Sequence, residues 1–268
     1  VRNLIYQCYD GKLLPGNHAS IANMQRYADS IGAEYTFRHN PKFGAKILPG
    51  VKWAYFYDAV MPVYDKTFHE YDNVLSVDID FFAVDGVKES IFDGFSAEVG
   101  CCTEPLQPLL RANSKSSISS LNDNKWAAHV KNTWGAEVPR TENGLVKIYN
   151  AGLVLWSNRG MVKAQERFVP IIDYVNSITP LKINPHYSHD QLFLHAMYTV
   201  AEMDHVELDN RWNCLIHHYY DDTGKVKLSD PRTKETKFVH IQLRSADHWD
   251  AATQWRITNL PVSEWKLP

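Results

Sequence analysis

Two aspartates with one residue between them, Asp78 and Asp80, close the apolar run Val74-Leu75-Ser76-Val77. A β-branched, apolar run bounded by charge reads as a buried strand. On a strand, side chains two apart share a face, so the spacing predicts that both carboxylates point the same way. Carboxylates this close repel unless a cation lies between them, and burying them unpaired is costly. A hard divalent ion such as Mg²⁺ or Mn²⁺ answers both problems and keeps positions open for phosphate oxygens. Acidic pairs at strand ends also act as helix caps or ion-pair partners, so the pair alone is not specific.

The elements that must position this pair follow from periodicity. Leu4 to Tyr9 reads as a first strand, ending at the polar turn Asp10-Gly11. Asn17 to Ile31 keeps helical spacing through Ile21, Met24, Ala28 and Ile31, and Gly32 fits its C-cap. Ala33 to Arg38 reads as a second strand. A helix is expected from about Val51 to Tyr64, with Trp53, Phe56, Tyr57 and Val60 on its apolar side. This β-α-β-α-β order is that of a parallel sheet wrapped by helices, where ligands gather at the carboxyl ends of strands. Asp78, Asp80 and Tyr9 lie at such ends.

Further along, Val99 to Thr103 reads as a short strand. The serine-rich stretch from Gln107 to Asn143 reads as an excursion from the core with one or two short helices. Lys147 to Leu155 is again a strand, with Gly152 inside it, a mark of close approach by a ligand or a second backbone. A helix from Met161 breaks near Pro170. Another runs from Ser188 to Met203, with Ser188-His189-Asp190-Gln191 as a capping box. Lys237 to Leu243 is a late strand carrying His240. With no repeat and no linker, the chain reads as one domain.

Taken in order, Asp78-x-Asp80, Asn150-Ala151-Gly152, Asp190-Gln191, Leu208 to Asn213 and Phe238-Val239-His240 resemble the motifs of nucleotide-sugar glycosyltransferases of the GT-A fold. The retaining, glycogenin-like family 8 group and its relatives are the most similar, over roughly residues 3–243. The resemblance implies a Rossmann-like α/β fold with a mixed, mainly parallel sheet flanked by helices. It divides the single domain 1–268 into a nucleotide-binding half (1–103), a half for the donor sugar and acceptor (104–244) and a tail (245–268).

The resemblance also implies roles. Asp78, Asp80 and His240 hold Mn²⁺ or Mg²⁺ against the donor diphosphate. Gln7, Tyr9 and Asp10 meet the nucleotide base. Asn150, Ala151 and Gly152 lie beside the sugars. Asp190 and Gln191 stand near the anomeric carbon. The family follows its late histidine with a Gly-containing run and Lys-Pro-Trp. This chain has Ile241-Gln242-Leu243-Arg244-Ser245, with Arg244 in the lysine's place on phosphate. The implied reaction moves a sugar, with retention, from a nucleoside-diphosphate sugar (UDP-linked by family habit) to a hydroxyl of a glycan or glycoprotein. An inverting course would need a base such as Asp190 or Asp209. Trp126, Trp134, Trp249 and Trp255 have the chemistry to stack on sugars, although packing is the commoner role of tryptophan.

Two other readings stay open. Asp78-Ile79-Asp80 also resembles the opening motif of haloacid-dehalogenase-like phosphatases, with a nucleophilic first aspartate. Phe82 departs from that motif, and no later Gly-Asp-x-x-x-Asp run follows. A non-catalytic sugar-nucleotide-binding module is the third reading.

The bulk numbers fit all three. Hydrophobic residues are 44% and charged residues 22%, ordinary for a globular chain. The net charge of −3, with no Lys/Arg-rich run, argues against a nucleic-acid partner. No apolar stretch is long enough for a membrane helix and no signal peptide is seen, so a cytoplasmic protein is the expectation. Cys8, Cys101, Cys102 and Cys214 lack disulfide or zinc spacing, and Cys101 and Cys102 read as reduced, buried thiols.

Overall fold

The computed structural model describes residues 1–221 and 223–267. Strand β1 (Asn3–Tyr9) leads to helix α1 (Pro15–Ile31) and strand β2 (Glu34–His39). Gly32 caps α1 in the left-handed region, at φ 69°, as its place in the sequence predicts. Next come α2 (Phe43–Ile47), a 3₁₀ turn (Ala54–Val60) running into α3 (Met61–Tyr64), and β3 (Asn73–Val77). The helix expected over 51–64 is therefore mostly 3₁₀, with Pro62 at the start of its only α-helical turn. Phe56, expected on its apolar side, is more than a third exposed.

β4 (Phe81–Ala83) and β5 (Val99–Thr103) are followed by α4 (Gln107–Ala112) and α5 (Ser120–Trp134). The excursion over 107–143 has two helices, but only α4 is short; α5 has 15 residues and reaches the core, with Trp126 and Val130 fully buried. β6 (Tyr149–Ser157), α6 (Asn158–Arg167) and α7 (Ile171–Ile178) come next, the last two separated around Pro170. Then come α8 (Asp190–Val200), β7 (His205–Glu207), β8 (Cys214–Tyr220), β9 (Val226–Ser229), β10 (Phe238–Gln242) and α9 (Ala251–Asn259).

The strands form two sheets, one of six in the order β2-β1-β3-β6-β5-β7 and one of four in the order β4-β10-β8-β9. In the larger sheet β1 pairs in parallel with β2 and β3, and β5 with β7, while β6 lies antiparallel between β3 and β5. Five strands thus run one way and β6 alone runs against them. The fold is a mixed, mainly parallel α/β sheet flanked by helices in one domain. β1 is buried on both faces from Leu4 to Gln7, as a central strand of a covered sheet must be. No described helix is long and apolar enough to cross a membrane.

The crossing from the large sheet to the small one decides the site. β3 stops at Val77. Asp78 and Asp80 occupy the turn that carries the chain over to β4 in the other sheet. Their convergence therefore does not come from alternation along a strand; a turn between two sheets produces it.

Candidate functional site

The turn is pinned from three sides. The Asp78 N–H donates to the Gly152 carbonyl at 2.8 Å, and the Asp78 carbonyl accepts from Gln7 Nε2 at 2.8 Å. The Asp80 carbonyl accepts from the Ile241 N–H at 3.0 Å. β10 pairs antiparallel with β4, which sets His240 opposite Phe81, and the two rings stack at 4.3 Å. His240 Nε2 then lies 3.1 Å from Asp80 Oδ1. One ligand atom each from Asp78, Asp80 and His240 falls within 4.8 Å of the others.

Gly152 makes room for this meeting. A Cβ there would lie 2.7 Å from His240 Cε1 and 2.9 Å from both Asn150 Oδ1 and Asp78 Oδ2. Its φ lies outside the left-handed region, so conformation does not require glycine. Space does, and a close approach was what its mid-strand position suggested.

The electrostatics are unbalanced. Burial, then the nearby Asp80 charge, pushes the Asp78 carboxyl up to about 6. Burial, then Asp78, pushes Asp190 up to about 8, against N–H donors at the start of α8. Burial opposes a charged His240, but Asp80, Asp78 and Glu104 together outweigh it, and its pKa is raised. His240 Nδ1 is buried without a hydrogen-bond partner.

Asp190 heads α8, but His189 is its N-cap and makes no side-chain cap bond. The capping box expected from Ser188 and Gln191 is therefore not formed; Ser188 ends a 3₁₀ turn and gives its carbonyl to the Tyr57 hydroxyl at 2.7 Å.

Other expected residues take supporting places. Gln7 is wholly buried, held by Ser20, Tyr35 and the Asp78 carbonyl, so it braces the aspartate turn and has no surface for a base. Tyr9 is half-buried, and its phenol is pushed up by burial and then by Asp247 and Tyr55. That couples the end of β1 to the segment after β10. Asp10 is ion-paired with Lys42. Asn150 is buried. Its Oδ1 accepts from the Gly152 N–H at 3.0 Å and Asn213 Nδ2 at 2.9 Å, and its Nδ2 donates to Glu104 at 2.8 Å. Ala151 packs partly against the main core. Arg244 is exposed on the loop after β10.

Trp126 is core, donating to the Tyr174 hydroxyl at 2.9 Å, and Trp134 stacks on Tyr174. Trp249 is half-buried against the small sheet, and Trp255 donates to Asp85 at 2.6 Å. Packing accounts for the first three, and Trp255 stays 45% exposed. Asp209 caps the 3₁₀ turn that follows it.

Sequence reasoning missed Glu104. It follows β5, accepts from Asn150 and sits close enough to His240 to feel its charge. Burial raises its pKa. A lone Glu after a short strand carries no spacing signal; only the antiparallel pairing of β5 with β6 brings it to Asn150. The four cysteines are free, with Cys101 and Cys102 buried.

No protein-family model matches the chain, and no curated protein matches it in sequence. Among solved structures it is similar to the mouse xyloside xylosyltransferase 1, with 16% identity over 90% of this chain and 97% of that one, TM-score 0.49. It is also similar to the galactosyltransferase LgtC solved with donor and acceptor sugar analogs, with 12% identity over 97% and 98%, TM-score 0.48. A third is a glycosyltransferase involved in glycosylation of the major capsid of PBCV-1, with 10% identity over 96% and 98%, TM-score 0.48. These are likenesses of layout. The chemistry below is drawn from this chain's own side chains.

Proposed function

We propose that the chain is a metal-dependent glycosyltransferase. It moves a sugar from a nucleoside-diphosphate sugar, UDP-linked in the first instance, to an acceptor hydroxyl with retention of configuration. The observation that carries this is the Asp78-Asp80-His240 cluster at the carboxyl end of β3, with ligand atoms within 4.8 Å of one another and His240 fully buried. Two hard carboxylates and an imidazole suit Mn²⁺ or Mg²⁺. Metal–ligand bonds near 2.1 Å put neighbouring ligand atoms about 3 Å apart, and Asp80 and His240 already stand at 3.1 Å. The residues fit the ion. When bound, it would neutralise charge on the leaving diphosphate.

The chain's own residues do the rest in this reading. Asp78, Asp80 and His240 fix the cation. Gln7 and Gly152 hold the aspartate turn. Asp190, at the head of α8, orients donor hydroxyls. Gln191 lies beside the reacting carbon, and exposed Arg244 meets phosphate. The bond from anomeric carbon to diphosphate breaks, and a bond to the acceptor oxygen forms on the same face. The acceptor's proton passes to the departing diphosphate. Residues 1–103 serve the nucleotide and 104–244 the sugars.

One observation favours an inverting course. A buried Asp190 with a pKa of about 8 has the affinity for a proton that a general base needs. The anomeric configuration of the product, read by NMR, separates the two courses; an inverted product sinks retention. The phosphatase reading gives His240 no role beside Asp80.

The decisive test is thermal stability with UDP, GDP, CDP and ADP, each with Mn²⁺ or EDTA. A ligand at about 100 times its dissociation constant adds roughly 2.7 kcal/mol. Stabilisation by one nucleotide with Mn²⁺, lost in EDTA, is expected and identifies the donor base. No response to any nucleotide overturns the proposal.

A further inference from the structure

A cavity of about 500 Å³ opens beside the cluster, between the end of β5, the 3₁₀ turn at Asn210–Trp212, β8 and the loop after β9. That is the size of a small-molecule site. Glu104 and Asn213 form the wall it shares with the metal corner, since both are bonded to Asn150. Asn213 is buried, yet its Oδ1 has no partner. Leu106, Leu215 and Pro231 give the space an apolar stretch of wall, beside polar residues that include Asp209 and Glu235. Leu106 is 48% exposed at this wall. A cleft that sets apolar wall beside a few convergent polar groups has the make-up of a small-molecule site. Arg211, the one Lys or Arg among the described lining, is engaged by Glu89 at 2.6 Å, and burial lowers the His217 pKa, so no free cation waits for an anionic ligand.

We propose that this cavity seats the acceptor, and that it selects a neutral glycoside whose reacting sugar carries an apolar aglycone. The sugar hydroxyls meet Glu104 and Asn213, and the aglycone lies on Leu106, Leu215 and Pro231. This rests on the transferase reading. An uncapped sugar would leave the apolar wall wet and gain only the polar contacts.

The test is binding by calorimetry to protein saturated with Mn²⁺ and the nucleotide that stabilises it. The probes are methyl and phenyl β-glucoside, β-galactoside and β-xyloside and the α-mannoside pair. At least one phenyl glycoside should bind about tenfold tighter than its methyl partner, as burial of a ring's worth of apolar surface requires. Leu106→Ser should cut that ratio about threefold or more with nucleotide affinity unchanged. Leu109→Ser, one turn along α4 and outside the cavity, should leave the ratio within about twofold of wild type. Nucleotide binding with no phenyl preference in any pair, or a preference that survives Leu106→Ser, overturns the inference and leaves the transferase reading standing. Failure of every nucleotide to bind overturns both.

Discussion

Glu98 and Asp78 are both acidic side chains drawn out of water at the six-stranded sheet, but they stand at opposite ends of it. Glu98 precedes β5 and accepts from Lys163 Nζ at 2.8 Å and the Asp204 N–H at 2.8 Å, with Arg159 at 3.4 Å. Burial opposes its charge, but Lys163, the Asp204 N–H and Arg159 outweigh it, and its pKa is lowered. Asp78, at the carboxyl end of β3, faces Asp80 instead; burial and then Asp80 raise it against the opposing pull of His240, and Asp78 in turn raises Asp190. One end of the sheet has its charge balanced by the chain. The other holds carboxylates whose burial and mutual repulsion the chain's own donors and His240 do not offset. Balanced burial serves stability. Unbalanced burial persists where function requires it.

The sharpest way to break this comparison is one substitution at each end. Asp80→Ala should lower sugar transfer, or slow donor hydrolysis, on the order of 10³-fold. It should also abolish the Mn²⁺-dependent stabilisation by nucleotide, while melting in EDTA stays within about 2 °C of wild type or rises. Glu98→Gln should do the reverse. Leaving Lys163 and the Asp204 N–H with a neutral partner should cost about 1–3 kcal/mol, a fall of roughly 3–10 °C, with turnover unchanged. If Asp80→Ala melts early and Glu98→Gln does not, the two ends have been misassigned.

The sequence shows the two ends unequally. The first half of the large sheet was legible because each strand is a bounded apolar run and each helix keeps its period. β5 falls where Val99 to Thr103 placed it, and Gly32 caps where predicted. The second sheet was not seen as a sheet. β8 begins at Cys214 and mixes His217, His218, Tyr219 and Tyr220 with two apolar residues, a half-buried pattern that gives neither alternation nor a run. The aspartates were picked from the apolar run they close and their spacing, and His240 from motif order, but the reason given for the aspartates' shared face was wrong, since the strand ends at Val77. Gln7 and Asn150 were read as ligand contacts, whereas hydrogen bonds that only the fold can form turn Gln7 into a brace and commit the Asn150 carbonyl. The Glu98 network was invisible, because its partners lie 61 to 106 residues away.

A smaller effect sharpens what the functional end needs from the fold. Gly152→Ala adds one carbon within 2.9 Å of Asp78, Asn150 and His240. Overpacking of this kind costs about 1–3 kcal/mol. The ligand atoms must part to admit it, and a displacement near 1 Å costs on the order of 10²-fold in turnover. Metal titration followed by nucleotide binding is the check: the variant should need more Mn²⁺ for half-maximal binding. Unchanged Mn²⁺ dependence would mean that the corner yields without cost and that Gly152 is not what keeps it open.

The least effect expected, and the most diagnostic of imbalance, is the pH dependence of stability without metal. Asp190 titrates at about 8 in the folded chain and near 4 unfolded. A raised carboxyl holds its proton in the folded state while the unfolded chain releases it. Its favourable contribution is thus complete below about pH 4 and drains away as pH climbs to 8. Asp190→Asn cannot titrate and escapes the loss. In EDTA the variant should match wild type near pH 4 and pull ahead up to pH 8. Each kcal/mol gained there reads as about 2–4 °C for a chain of this size. Glu98→Gln must show the opposite profile. The Glu98 carboxylate stabilises above its unfolded pKa of about 4.3 and ceases to as pH falls through its lowered folded value, so that deficit should shrink in acid. A variant at Asp190 that is inactive, yet gains on wild type the more alkaline the buffer, is the behaviour of a carboxylate kept for a ligand. A flat difference across pH 4–8 would mean that Asp190 is already satisfied within the fold, as Glu98 is, and that the two ends of the sheet do not differ in kind.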